Sequence, residues 1–428
     1  MEELFELFYA TTGVCTDTRR IEKDCLFICL KGTTFNGNTF ASQAIENGAR
    51  YAIVDEAQYK TNDRIYVVPN TLIFLQQLAN YHRRKFRIPV IGITGSNGKT
   101  STKELINCVL SEKFRVLATK GNLNNHIGVP LTLLELNAEH ELAIIEMGAN
   151  RFKDIEELCA IAEPNFGIIT NIGKAHLEGF GGFEGVLKTK RELYESVELQ
   201  SGTIVYNHDD QILIDQLPKN IRKTSYGTDE NADVIGTLIG LNPFVKLSYR
   251  TSEYNSPVLE TKMVGKYNFY NYLAAIAFGN LFGVEPEKIN AAVTRYAPEN
   301  NRSQVKRTAR NTLILDCYNA NPTSMRSALE SFSLIEHPDK CFIIGDMLEL
   351  GDQSDHEHKQ ILDFIERQEL IGYTVGPLFQ KHNSPNVLHS FHNREEAAQF
   401  LQQAHWNGKL ILLKGSRGIG LENLEQYV

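Results

Sequence analysis

Short apolar runs and helix-spaced segments alternate along most of this chain. Residues 24–30, 51–54 and 65–68 are runs that read as strands. Residues 40–48, with Phe40, Ala41, Ala44 and Ile45 on one face, and 71–81 read as helices. A basic cluster, His82-Arg83-Arg84-Lys85, ends this first unit. From 88 the alternation resumes, with strands over 88–93, 115–118, 142–146, 166–171 and 203–206 and helices over 101–110, 152–161 and 183–197. Near 234–263 it gives way to short strand-like runs with turns, read as an antiparallel extension, before an Ala-rich helix over 268–282. A third alternation follows Asn300-Asn301-Arg302, with strands over 313–316, 341–344, 372–375 and 410–413 and helices over 324–332 and 357–368.

Strands alternating with helices predict parallel sheets covered on both faces. The expected fold is α/β in three domains: an N-terminal α/β substrate domain over 1–86, a central parallel sheet with a small antiparallel extension over 87–300, and a C-terminal Rossmann-like domain over 301–428. Ligands of such sheets bind at the carboxyl ends of the strands.

Composition narrows the function classes. With 428 residues and 42% apolar side chains, each domain can bury a core. A net charge of −8 with interspersed signs and no long Lys/Arg block argues against nucleic acid as a partner. The seven scattered cysteines form no C-x-x-C pair, which suits a reducing compartment and gives no zinc spacing. Met1-Glu2-Glu3-Leu4-Phe5 lacks the basic start of a secretory signal, and no apolar run approaches the ~20 residues that cross a bilayer. A cytoplasmic protein without membrane contact is expected.

The strand over 88–93 runs into Gly95-Ser96-Asn97-Gly98-Lys99-Thr100-Ser101 and then a helix. This is the layout of a phosphate-binding loop, and it makes the central domain P-loop ATPase-like. Backbone N–H groups and the positive helix end face the phosphates, Lys99 reaches the outer ones, and Thr100 is placed to hold Mg²⁺. The loop is a short form, because Ile93 stands where the strict pattern has its first glycine.

Glu146 ends an apolar strand of the same domain, as a metal-ligating carboxylate or as a surface acid opening a loop. His176 follows another strand end, where a neutral imidazole can bind a second divalent ion or simply hydrogen-bond in its loop. Lys190 falls in the middle of the apolar stripe of Phe183, Val186, Leu187, Leu193 and Tyr194. Burial disfavours an ammonium, so its pKa is expected to fall. A neutral amine there can act as a base, as a nucleophile, or react with CO₂ to give a carbamate that bridges metal ions. The competing reading is a lysine whose head reaches water. Asn268 and Asn271 share a helix face and can read a nucleobase edge, unless Asn268 is only a helix cap. Arg302, beside the proposed hinge, is either a cation that closure brings to the γ-phosphate or a surface arginine.

These residues resemble those of the Mur ligases, the ATP-dependent amide-bond ligases of bacterial cell-wall precursor synthesis. The loop T-G-S-N-G-K-T-S, Glu146, His176, Lys190 and the Gly265…Asn268…Asn271 segment carry the resemblance. Asp316-Cys317-Tyr318-Asn319-Ala320-Asn321-Pro322, Gly345-Asp346-Met347-Leu348-Glu349-Leu350-Gly351 and Lys414-Gly415-Ser416-Arg417 extend it through the third unit. Within the family the likeness is greatest to ligases that add D-alanyl-D-alanine to a UDP-N-acetylmuramoyl tripeptide.

The resemblance implies ATP and a pair of Mg²⁺ ions, one on Thr100 and Glu146 and one on His176 and a carbamylated Lys190. It implies catalytic roles for Lys99, Lys190, Arg302 and His176. Asp17, Thr18, Arg19, Lys31 and Asn36 would hold the uridine end, and Asn124 and Asn125 would line the sugar-peptide path. Asn268, Asn271, Asp316 and Arg302 would meet the nucleotide, and Asn319, Asn321, Lys414 and Arg417 would border the dipeptide. A monomer is expected. Two positions depart from the family pattern: Tyr267 replaces a His before Asn268, and Asn301 replaces a Gly before Arg302. The rival expectations are a family ligase with another acceptor and a nucleotide-binding protein without chemistry.

Overall fold

The computed structural model describes residues 2–299 and 301–428; Met1, and Asn300 at the expected second boundary, lie outside them. The strands form three sheets. The first has four parallel strands in chain order, Val14–Cys15, Leu26–Ile28, Tyr51–Val54 and Ile65–Val67. The strand expected over 24–30 is only Leu26–Ile28. The helix expected over 40–48 is Ala41–Glu46, because Gly37–Phe40 forms a tighter 3-10 turn first, capped by Asn36.

Thr71–Arg84 is a helix capped by Asn70, which accepts from the Ile73 N–H at 2.9 Å. Its last turn explains the basic cluster. Arg83 is buried, and its guanidinium donates to the Ala162 and Phe86 carbonyls at 3.0 and 2.8 Å. His82 is buried between the Leu136 carbonyl and the Tyr9 hydroxyl. The cluster therefore seals the first domain to the second. One apolar cluster runs through both, joining Phe5, Leu26, Phe74 and Leu78 to Val129, Ile155 and Leu158.

The second sheet has nine strands. Third from one edge, Val90–Thr94 pairs in parallel with Leu142–Glu146 on one side and Phe166–Ile169 on the other. Ile93 lies opposite Glu146, so the phosphate loop and the carboxylate leave the sheet at the same edge. The extension, Val234–Gly240, Phe244–Arg250 and Leu259–Val264, is antiparallel within itself and continues the same sheet through Arg222–Gly227. The Arg222–Gly227 strand escapes pattern reading because its first half is polar and exposed.

The third sheet has six strands, parallel except for the edge strand Gln304–Arg307. Thr312–Asp316 lies beside Leu410–Lys414 in a register that sets Asp316 opposite Lys414. Glu2–Tyr9, Pro286–Arg295 and Arg394–Ala404 are helices that the apolar spacing does not announce, since each buries only two or three residues. No helix among the described residues is long and apolar enough to cross a membrane.

Candidate active site

The loop's conformation depends on its glycines. Gly95 has φ +144°, and a Cβ there would sit 2.0 Å from the Thr170 hydroxyl. Gly98 has φ +79° and precedes the helix Lys99–Leu110. Lys99 folds back on the loop, donating to the Gly95 carbonyl at 2.7 Å. Burial pulls its pKa down to about 8, with Arg302 adding to the fall and Glu146 opposing it.

Glu146 is 1% exposed. Its Oε1 accepts from Asn124 Nδ2 at 2.8 Å and from the Thr100 hydroxyl at 3.2 Å. Its Oε2 is buried without a hydrogen-bond partner, the nearest cation being Lys103 at 4.0 Å. An unsatisfied carboxylate oxygen beside a hydroxyl fits Mg²⁺, which takes one or two carboxylates and keeps its other positions for water and phosphate. Among the described residues no three His, Cys, Asp or Glu side chains converge, so the protein offers no closed metal cage.

His176 has φ +51°, and its Nδ1 lies 2.5 Å from Glu349 Oε2 of the third domain. Burial lowers its pKa, against the pull of Glu349. Lys190 is 3% exposed in the helix Phe183–Leu199. Its ammonium has no hydrogen bond or ion pair among the described residues, and it lies 5.7 Å from the Phe180 ring centre. Burial, and then the charge of Lys99, push its pKa well below the usual lysine value. Lys190 thus lies on the packed face of its helix, with Val186, Thr189, Leu193, Tyr194 and Val197. Phe183 is a correction: in the helix's first turn it is 38% exposed.

Asn268 lies inside the helix Tyr267–Leu281, whose cap position is Lys266, so the capping reading also fails. Asn268 donates to the Val264 carbonyl and accepts from Asn271 Nδ2, both at 2.7 Å. Asn271 in turn accepts from the Thr102 hydroxyl at 3.0 Å. The two amides thus tie this helix to the phosphate-loop helix rather than pointing free at a ligand. In the third domain, Lys414 is buried and its ammonium meets Asp316 Oδ2 at 2.6 Å. The Arg302 and Arg417 guanidiniums lie 3.5 and 5.4 Å from the Tyr318 ring centre. Asn321 caps the helix Pro322–Ser333 and donates to Asn97 Oδ1 of the phosphate loop at 2.7 Å.

These elements surround a cleft of about 1400 Å³. Residues 96–101 line it with Asn124, Asn125, Glu146, His176, Asn268, Asn271, Arg302, Asp316, Asn319 and Lys414, and Leu72 and Gln76 add a wall from the first domain. Gly95, Lys190, Asn321 and Arg417 are not in its lining, and neither are Asp17, Thr18, Arg19, Lys31 and Asn36. Asp17 caps the turn Thr18–Arg20 and pairs with Arg19, which holds its pKa down to about 2. Lys31 bridges Asp55 and Glu56 at 3.0 and 2.7 Å, and Asn36 donates to Glu56 at 3.0 Å. Sequence reasoning missed Asn207, Asp209, Asp210 and Tyr270, which also line the cleft. Asp209 accepts from Thr228 and from the Tyr270 hydroxyl. The signal was present in the polar run after the 203–206 strand, by the same strand-end rule that picked out Glu146.

The fold and this cleft are those of an acid–amine ligase driven by ATP, and the chain belongs to the Mur ligase family. Family models match in succession: "Mur ligase family, catalytic domain" over 10–93, "Mur ligase middle domain" over 93–279 and "Mur ligase, glutamate ligase domain" over 301–417. Within that family the chain is 34% identical over 424 residues to the UDP-N-acetylmuramoyl-tripeptide–D-alanyl-D-alanine ligase of Bacillus subtilis, covering 96% of this chain and 92% of the relative. The crystal structure of MurF from Acinetobacter baumannii superposes with a TM-score of 0.88 at 32% identity, over 98% of this chain and 97% of that one. The MurF ligase of Thermotoga maritima in complex with ADP gives 0.89 at 25% identity, over 100% and 98%.

Proposed function

We propose that this chain is an ATP-dependent ligase that joins D-alanyl-D-alanine to UDP-N-acetylmuramoyl-tripeptide in peptidoglycan precursor synthesis. One observation carries the reading: Lys99, Thr100 and the half-satisfied Glu146 share a cleft walled by all three domains.

The tripeptide carboxylate and ATP repel each other, and Lys99 and Arg302 offset that charge around the γ-phosphate. The carboxylate attacks the γ-phosphorus, its bond to the bridging oxygen breaks, and ADP leaves an acyl phosphate. The dipeptide amine then attacks the acyl carbon, loses a proton, and expels phosphate. Thr100 and Glu146 would hold one Mg²⁺ and His176 and Lys190 a second, and the bound ions would help to neutralise the phosphate oxygens. Asn124 keeps the Glu146 carboxylate oriented. The low pKa of Lys190 favours its neutral amine, whose nitrogen can bond to the carbon of CO₂ and release a proton to solvent, giving a carbamate anion that would ligate a metal ion.

Asp17, Thr18, Arg19, Lys31 and Asn36 hold the uridine end in this reading, and Asn125 lies along the path to the cleft. Asn268, Asn271 and Asp316 border the nucleoside, and Asn319, Asn321, Lys414 and Arg417 border the dipeptide. Closure of the domains keeps water from the acyl phosphate. One copy of the chain supplies every residue named, and in this reading the working unit is a monomer. ATP dependence and seven free thiols suit a cytoplasmic location. The test is phosphate release with ATP, UDP-N-acetylmuramoyl-tripeptide and D-alanyl-D-alanine, omitting each in turn. Release only with all three supports the reading; release with another acceptor but not this dipeptide overturns it.

A further inference from the structure

The linker between the second and third domains is held by a bond that the reaction above does not use. The Tyr267 hydroxyl lies 2.8 Å from the Ser303 hydroxyl. Tyr267 opens a helix of the second domain, and Ser303, 2% exposed, precedes the first strand of the third. Arg302 sits between Asn301 and Ser303, whose φ angles of +55° and +51° place both in the left-handed region. Neither is glycine, so surrounding contacts must hold that backbone. The Cys317 N–H donates to the Asn301 carbonyl at 3.0 Å, Gln304 Oε1 accepts from the Asn301 N–H at 3.2 Å, and the phenol grips Ser303. The phenol is itself seated: a Cβ on Gly265 would come within 2.5 Å of its ring. With the linker so arranged, the Arg302 guanidinium lies over Tyr318 in the cleft, close enough to Lys99 to depress that amine's pKa.

We propose that Tyr267 is a positioning residue for Arg302. Its hydroxyl, bound to Ser303 across the domain boundary, fixes the linker that presents the guanidinium to the transferring phosphate. The proposal rests on the reading of Arg302 as a cation at the γ-phosphate. Tyr267→Phe removes one oxygen and keeps the ring on Gly265. The expected result is a kcat lower by about three- to tenfold, the worth of one hydrogen bond, with KM for ATP unchanged. Ser303→Ala should reproduce it, and neither change should cost anything more in an Arg302→Ala background. A Tyr267→Phe enzyme with wild-type kcat, a raised KM for ATP at constant kcat, or a loss that multiplies with that of Arg302→Ala overturns the proposal. Arg302→Ala alone turning over at the wild-type rate removes instead the role of Arg302 on which the proposal stands.

Discussion

A lysine that is 3% exposed and has no partner cannot keep its charge cheaply. Lys190 lies behind the cleft wall, and its field and that of Lys99 both reach His176. A purely structural role would be served better by leucine, which accords with the chemical role proposed for the amine. Lys190→Ala is expected to lower ligation by about a hundredfold or more, as loss of a charge-stabilising group does, while leaving the fold intact. Short carboxylates added to that variant should restore part of the rate. Full activity of the variant in a phosphate-release assay would refute the carbamate. The spacing of Val186, Leu193 and Tyr194 announced this burial. It did not announce the exposure of Phe183, because a helix's first turn has no preceding turn to pack beside.

At the level of elements, the strand–loop–helix around Lys99 depends on backbone that side chains forbid. Gly95→Ala puts a methyl into Thr170 at a φ that L-residues rarely adopt. It is expected to abolish nucleotide binding, measured with a fluorescent ATP analogue, and to lower the melting temperature. The helix Ser354–Arg367 is pinned differently. His358 Nε2 accepts from the Met347 N–H at 3.0 Å and Nδ1 meets the Ser354 carbonyl at 2.7 Å, an arrangement only the neutral ring allows. Burial lowers its pKa from the ordinary 6.5. Below pH 6.5 the unfolded chain therefore takes up a proton that the native ring refuses, so stability is full above that pH and falls as pH drops. Thermal melts between pH 7.5 and 5.5 should show this slope, and His358→Gln should lower stability at pH 7.5 while flattening part of it. Element type was legible wherever apolar runs were long. The helix Arg394–Ala404 was not, since Ala397 and Leu401 alone make its buried face.

For the whole molecule, the third domain is docked over the mouth of the phosphate loop by polar contacts. Asn321 meets Asn97, Lys174 Nζ meets Glu357 at 2.6 Å, the Lys174 N–H donates to Thr323, and His176 meets Glu349. Glu357 is 3% exposed, so removing its partner leaves a buried carboxylate uncompensated. Lys174→Ala is expected to loosen the third domain, seen as a larger radius of gyration by small-angle scattering. ATP binding should persist while ligation falls. An unchanged radius and rate would show that the ion pair does not hold the docked arrangement. The first domain is attached through an apolar core and the buried Arg83 and His82, so it should not move with the third.

The one-dimensional pattern was enough to determine three alternations of strand and helix, a phosphate loop, and a lysine on a packed helix face, because each depends on neighbours within a few turns of the chain. Tertiary structure alone decided that Glu146 keeps one oxygen unsatisfied and that Asn271, bonded to Thr102, donates to Asn268. It also decided that His176 is met by Glu349 and that Tyr267 reaches Ser303. Those outcomes depend on strand register and on how separately folded layers dock, and hydrogen-bond partners far apart in sequence are chosen only when those surfaces meet.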